Sequence, residues 1–182
     1  MSPAVVWLVI RLVWVVIGEQ NATGVSDALQ MLIYQQVPGV VSTMDYSCQY
    51  EPFPRRTECI GWSLDTLQPG DVVSGVIVWR GERAARTCQD AGDWDVHLEQ
   101  TVQALRDGYG RPDLPVYFAQ LGRRPAGSGY PCWGLVKRRQ AAVMLDGVRM
   151  VRTDGVPRMD KSTLYDERGL TLLARRFWRA MH

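Results

Sequence analysis

Hydrophobic residues in this chain are concentrated in short runs, and the segments between the runs are rich in polar residues, glycine and proline. A short apolar run rich in β-branched residues, ended by a glycine or a polar turn, is typical of a strand that is buried on both faces. The predicted strands are residues 12–17, 40–46, 72–79, 114–121 and 148–151, and the predicted helices are residues 26–34, 94–109, 133–145 and 165–181.

The helix predicted at residues 94–109 has the clearest amphipathic pattern, because its apolar residues from Trp94 to Leu105 recur at the helical period. Strands and helices alternate along the chain. Such alternation favours a parallel sheet, since each crossover helix returns the chain to start the next strand. We therefore predict an α/β fold with three layers, α/β/α, around a central and mostly parallel sheet of the flavodoxin-like kind.

The N-terminal run at residues 4–17 is apolar enough to suggest a signal peptide or a membrane anchor. However, Arg11 interrupts the run, and it is shorter than the roughly 20 residues that a membrane-spanning helix needs. We expect no membrane span and interpret residues 1–11 as an apolar arm or an added strand. Residues 12–182 then form a single domain.

The charge of the chain is nearly balanced, with 21 Lys and Arg against 19 Asp and Glu, so it gives no argument for a nucleic-acid partner. Arginines are dense near the C-terminus, at Arg175, Arg176 and Arg179, but apolar residues lie between them. This pattern predicts the solvated face of a terminal helix rather than a phosphate-binding patch.

The four cysteines give no indication of a metal site, because no Cys-x-x-Cys occurs and the chain has only two histidines. We expect neither a metal nor a cofactor. Cys48 and Cys59 lie in a loop-like segment at residues 48–70 and are able to pair in an oxidising compartment, which the sequence leaves open. A loop of this length usually has a function or serves as a docking surface.

The first predicted core strand runs directly into a turn of small and polar residues, Gly18-Glu19-Gln20-Asn21-Ala22-Thr23-Gly24. In open α/β sheets, ligands bind at the carboxyl ends of the strands. The segment resembles the first motif of the SGNH hydrolases, in the branch of sialate and carbohydrate O-acetylesterases, where it is Gly-Gln-Ser-Asn-Ala-x-Gly. The resemblance implies that the serine is the nucleophile, and Gln20 takes its place here.

The strand at residues 72–79 carries a second match, because the branch has an apolar strand that ends in Trp-x-Gln-Gly-Glu. Here the strand ends in Trp79-Arg80-Gly81-Glu82, so Gly81 and Glu82 are kept and Arg80 replaces glutamine. The resemblance implies that this segment helps to hold the substrate carbonyl. Further matches concern positions that the family uses mainly for structure: Asp113-Leu114-Pro115, Tyr130-Pro131, Trp133, Val136-Lys137 and Gln140.

The last match decides the prediction of activity. Active members place Asp-x-x-His before a Tyr-Asp-x-x-Gly turn, and the histidine is the general base that the aspartate orients. Residues 164–169 fit the turn and put Leu164 at the histidine and Lys161 at the aspartate. If the match is anchored on Asp160 instead, Thr163 takes the histidine position. Neither register supplies an imidazole.

These substitutions predict that the domain does not hydrolyse esters. An amide such as Gln20 neither attacks an acyl carbon nor becomes an alkoxide, and a leucine accepts no proton. Loss of one triad member typically costs about a thousandfold or more in rate. The two histidines of the chain are His97, on a predicted helix, and the terminal His182, and recruiting either would require a different site.

Three functions remain open from the sequence. The first is a non-catalytic domain that serves as a structural or protein-interaction component of a larger assembly, as in phage virions or organellar complexes by analogy. The second is a saccharide-binding module that uses the degenerate pocket through Asn21, Arg80, Glu82 and Lys161. The third is an active O-acetylesterase with displaced catalytic residues. The sequence predicts other protein subunits as partners and gives no localisation beyond such an assembly.

Overall fold

Five parallel strands form one sheet at the centre of the fold, and helices cover both of its faces. The computed structural model describes residues 11–18, 24–25, 27–29, 31, 41–46, 70–127, 129–159 and 162–182. The strands are β1 (Arg11–Gly18), β2 (Val41–Tyr46), β3 (Asp71–Trp79), β4 (Val116–Ala119) and β5 (Val148–Val151). The helices are α1 (Cys88–Gly92), α2 (Trp94–Gly108), α3 (Trp133–Ala141) and α4 (Glu167–Met181).

The strand order is β2-β1-β3-β4-β5, which is the doubly wound order of flavodoxin-like folds. The chain moves outward from β1 in one direction to β2 and then crosses back to β3 on the other side. Ligands of such sheets bind where the direction reverses, beyond the carboxyl ends of the strands. In this chain that point lies between β1 and β3, where Gly18 pairs with Trp79.

Two hydrophobic layers hold the helices against the sheet. Successive residues of a strand point to opposite faces, so Val76 and Val78 of β3 belong to one layer and Ile77 and Trp79 to the other. Helices α2 and α3 cover the first face. Helix α4 and the helical residues 24–25, 27–29 and 31 cover the second. Both faces are therefore buried, as an all-parallel sheet requires.

The α/β prediction is confirmed, with differences in detail. Strand β4 and helix α3 are shorter than the runs at 114–121 and 133–145. The short helix α1 and a 3₁₀ turn at Ala84–Arg86 were not predicted. The interpretation of residues 1–11 as an arm concerns residues outside the described part, except that Arg11 already belongs to β1. Among the described helices, none has the length and hydrophobicity needed to cross a bilayer.

Arg111 connects the amino-terminal ends of the strands, at the edge opposite to Gly18. Its guanidinium donates to the Val73 carbonyl at 3.0 Å and to both carboxylate oxygens of Asp113. These hydrogen bonds hold the pKa of Asp113 below its usual value. The pair therefore stabilises the fold at neutral pH, and its contribution is lost as the pH falls through that lowered pKa.

A disulfide links Cys88 to Cys132, with a Cα–Cα distance of 5.2 Å. It ties the start of α1 to the residue before α3, and the Cys132 backbone N–H also donates to the Ala85 carbonyl at 3.0 Å. The sequence analysis did not predict this bond. The possible pairing of Cys48 with Cys59 concerns residues outside the described part.

We expect the double variant Cys88→Ala/Cys132→Ala to unfold with a free energy about 2–4 kcal/mol below that of the wild type, because the bond closes a long loop in the unfolded chain. Urea titration without reductant measures the difference. Cys88 is exposed, so it contributes little packing of its own. The single variant Cys88→Ala should therefore already show most of the decrease in unfolding free energy that the double variant shows. A loss confined to variants of Cys132 would assign the effect to packing and contradict the bond.

Candidate functional site

The carboxyl ends of β1 and β3 bring the first two sequence motifs to one edge of the sheet. Gly18 ends β1 beside Trp79, and residues 80–82 continue from β3. The positions of Glu19, Gln20 and Asn21, and those of Asp160 and Lys161, lie outside the described residues. The described part of the candidate site therefore comprises Gly18, residues 80–82 and residues 163–164.

Glu82 is held inside the protein and is used to position an aromatic ring. Its side chain is 6% exposed, and one carboxylate oxygen accepts a hydrogen bond from the Trp79 indole at 3.2 Å. The Trp79 ring in turn meets Tyr165 edge to face, with the centroids 5.6 Å apart. The retained Gly-Glu pair thus connects the end of β3 to the turn that follows Leu164.

Gly81 occupies a position that no other residue fits without strain. Its φ is +144°, and a Cβ there would lie 3.1–3.2 Å from the Gln140 amide nitrogen and from Leu121. A left-handed φ and close contacts together favour glycine. The glycine of this motif is therefore explained by backbone geometry, with no reference to catalysis.

Gln140 connects the ends of two neighbouring strands from its place on α3. It is 1% exposed, its Oε1 accepts from the Leu121 backbone N–H at 2.7 Å, and its Nε2 donates to the carbonyls of Ala119 and Arg80 at 3.2 and 3.3 Å. One side chain therefore satisfies three buried or half-buried backbone groups beyond the ends of β3 and β4. This agrees with the structural role that the resemblance implies for Gln140.

Arg158 lies at the same edge, and the sequence analysis did not single it out. Its guanidinium donates to the Arg123 carbonyl at 2.6 Å and to the Tyr165 hydroxyl at 2.9 Å. It also lies 4.7 Å from the centroid of the Tyr165 ring and 5.9 Å from that of Trp133. A lone arginine in a loop gives no periodic or motif signal, so only the fold reveals this arrangement.

Leu164 lies in a tight turn whose backbone is already engaged. Its N–H donates to the Ser162 hydroxyl at 3.0 Å, and its carbonyl accepts from the Met159 N–H at 3.0 Å. The side chains of Thr163 and Leu164 are both half-buried. In the register predicted from the Tyr-Asp-x-x-Gly turn, Leu164 takes the position of the general base, and its aliphatic side chain has no proton-accepting atom. In the alternative register, Thr163 takes that position.

Both histidines of the chain lie away from this turn, His97 on α2 and His182 just after α4. His97 is on α2, which covers the face of the sheet opposite to the one where Tyr165 packs. His182 follows α4, whose 15 residues place it about 22 Å along the helix axis from the turn. Its Nδ1 lies 3.0 Å from the Trp178 carbonyl, and its ring stacks on Trp178.

The Tyr-Asp-x-x-Gly turn is kept for structural reasons. Asp166 caps α4, because its carboxylate accepts from the Gly169 N–H at 2.7 Å. Gly169 is buried, and a Cβ at this position would overlap the carbonyl oxygen of Pro157. Asp166 of the motif thus starts the helix, and Gly169 lets the preceding loop pass close to it.

Comparisons with known proteins agree with this architecture. A family model described as carbohydrate esterase, sialic acid-specific acetylesterase matches residues 57–182. A search of curated proteins by sequence finds no significant match.

Solved structures show the same fold at low sequence identity. A protein from Arabidopsis thaliana has a TM-score of 0.71 and 14% identity, over 88% of this chain and 67% of its own. A carbohydrate acetylesterase from Xanthomonas citri has a TM-score of 0.66 and 15% identity, over 90% of this chain and 55% of its own. A carbohydrate esterase family 3 protein from Talaromyces cellulolyticus has a TM-score of 0.62 and 10% identity, over 94% and 96%.

We expect Gln140→Leu to lower the free energy of unfolding by about 2–4 kcal/mol, because three backbone groups lose their partner while the volume is nearly kept. Urea titration measures the change. The matched control is Gln103→Leu, since Gln103 is exposed and, within the described part of the chain, its side chain donates to that of Asp107 alone. Equal stabilities of the two variants would show that Gln140 does not hold the strand ends.

The substitution Gly169→Ala tests whether the free energy of unfolding rises or falls at this position. Alanine in a helix is normally more favourable than glycine by about 1 kcal/mol, but here the Cβ overlaps the Pro157 carbonyl oxygen, so we expect a loss of about 1–3 kcal/mol. Gly134→Ala on α3 is the control, because its nearest neighbour is the end of the Arg138 side chain at 3.6 Å. The control should be neutral or stabilising in thermal unfolding. Stabilisation by Gly169→Ala would contradict the close approach.

Proposed function

Because this chain belongs to the carbohydrate esterase family of sialic acid-specific acetylesterases, we propose that it is a non-catalytic member of that family. The observation that carries the proposal is the absence of an imidazole from the turn that precedes α4. Leu164 stands where the family motif has its histidine, and the two histidines of the chain are at His97 and His182.

The proposal follows from the proton chemistry of acyl transfer. A hydroxyl attacks an ester only when a neighbouring base takes its proton, and a carboxylate must orient that base. Gln20, Lys161 and Leu164 replace the hydroxyl, the carboxylate and the base. Each substitution removes a different step, so no single compensating side chain restores the reaction.

The residues that the chain retains support the same proposal. Gly81, Glu82, Gln140 and Gly169 all have backbone or packing roles in the described structure. A scaffold that keeps its structural residues without its reacting groups still offers its surface for binding. We therefore propose that the domain serves as a structural or protein-interaction component of a larger assembly.

The assembly is tested by isolating the endogenous chain under native conditions. We expect it to elute with other subunits in a fixed ratio, at a mass well above 20.6 kDa. Elution as an isolated chain at low and moderate salt would contradict this part of the proposal.

The loss of catalysis is tested with 4-nitrophenyl acetate and with an O-acetylated sialic acid. We expect no turnover above the buffer rate at any pH between 6 and 9, because Leu164 at the proposed position of the general base has no atom that accepts a proton. Intrinsic tryptophan fluorescence serves as the control that the protein is folded. Turnover that co-purifies with the chain and is abolished by His97→Asn would contradict the proposal and favour an esterase with displaced residues.

A further inference from the structure

An open groove lies between the edge strand β5 and the last two turns of α4. It has a volume of about 460 Å³, and its lining includes Met150, Arg152, Asp154, Arg176, Arg179 and Ala180. It is separate from the candidate site, because α4 runs from the Tyr165 turn back toward the amino-terminal edge. The terminal arginines are predicted to form a solvated helix face, and the fold adds Arg152, which follows β5, to the same groove.

Two guanidinium groups in and beside the groove are fixed by backbone carbonyls. Arg176 donates to the carbonyls of Arg152 and Asp154 at 2.7 and 3.0 Å. Arg149 donates to the Ala180 carbonyl at 3.1 Å. Both arginines bond to peptide carbonyls, which carry only partial negative charges. These bonds therefore do not neutralise the guanidinium groups, and both side chains keep their full positive charge.

Asp154 is the one carboxylate among the described lining residues, and a lysine compensates its charge. Asp154 pairs with Lys137 at 2.9 Å, outside the groove. Arg152 and Arg179 are exposed, and neither has an ion-pair partner among the described residues. In residues 123–182 as a whole, Lys and Arg outnumber Asp and Glu by thirteen to five. The groove therefore lies in the part of the sequence that carries an excess of positive charge, in a chain of nearly balanced charge.

The geometry of β5 argues against an added strand as the occupant. Hydrogen bonds from Val116 and Gln120 to the carbonyls of Gly147 and Val151 show which backbone groups face β4. Of the groups that face outward, the Val148 N–H bonds to Leu145 and the Arg152 carbonyl bonds to Arg176. Among the described residues, this leaves a short segment around Met150 for pairing, so recognition through side-chain charge is favoured over β-augmentation.

We propose that this groove binds the carboxylate groups of an acidic polysaccharide. Guanidinium groups bind carboxylates through paired, charge-assisted hydrogen bonds, and the volume falls in the range of about 300–1,000 Å³ that ligand sites occupy. The polymer is assigned as a saccharide because the family model describes a carbohydrate esterase. The inference goes beyond the proposed function and holds whether or not the domain hydrolyses esters.

The test measures binding of the full chain to polygalacturonate and to dextran of similar length by isothermal titration calorimetry at low salt. We expect the chain to bind polygalacturonate and not dextran, and we expect the affinity for polygalacturonate to fall steeply as the salt concentration rises. The variant Arg152→Ala/Arg179→Ala should bind at least about tenfold more weakly. Arg176 is left intact because it bonds to the backbone.

The matched control is Arg138→Ala/Arg168→Ala, which removes two exposed arginines outside the groove and changes the net charge equally. It should bind within about twofold of the wild type, since screening limits the effect of distant charges. Equal weakening in both double variants would reduce the effect to overall charge and overturn the site. Binding to polyglutamate as tight as to polygalacturonate would favour an acidic protein as the ligand and overturn the assignment to a saccharide. The absence of binding to polygalacturonate would overturn the proposal altogether.

Discussion

The constraint on which this structure depends is that a parallel sheet ends all its strands at one edge, where backbone groups leave the ladder and need other partners. The chain meets this need with fixed side chains. Gln140 bonds to backbone groups at Ala119, Leu121 and Arg80, and the Trp133 indole and the Thr153 hydroxyl bond to the carbonyls of Gly122 and Gln120. In an esterase of this fold the same edge carries the reacting groups, so structural and catalytic residues are interleaved there. We propose that this chain has kept the first kind and replaced the second.

Much of the fold was predictable because its determinants are local. Strands β1 and β3 are nearly continuous apolar runs, and α2 repeats its apolar residues at the helical period. The local sequence of each element therefore predicts its secondary structure. The segment at residues 84–92 gave no such signal, since a 3₁₀ turn and a five-residue helix are too short to show a period. The disulfide between Cys88 and Cys132 depends on a distance between two crossover segments, which no pattern along the chain contains.

For the candidate site, the sequence predicts which catalytic groups are missing. It does not predict the contacts that hold the loops of the site together. The prediction that Leu164 or Thr163 stands in place of the histidine comes from the residues themselves, because it concerns chemical groups in a spaced motif. The position of Arg158 between Trp133 and Tyr165 was not predictable, because cation–π contacts of this kind arise only when loops from different strands meet. The groove beside β5 is a similar case. The sequence predicts Arg176 and Arg179 on a helix surface, and only the fold shows that Arg152 lies beside them.

The central claim is that this carbohydrate esterase fold contains no activated hydroxyl. Intact-mass spectrometry after incubation with a fluorophosphonate tests it most directly, since that reagent modifies a serine that has a working general base and does not require the natural substrate. An active carbohydrate esterase of the same fold, treated in parallel, gives the mass of one adduct. We expect the mass of this chain to stay unchanged. Stoichiometric addition of one phosphonyl group to a single serine would contradict the account.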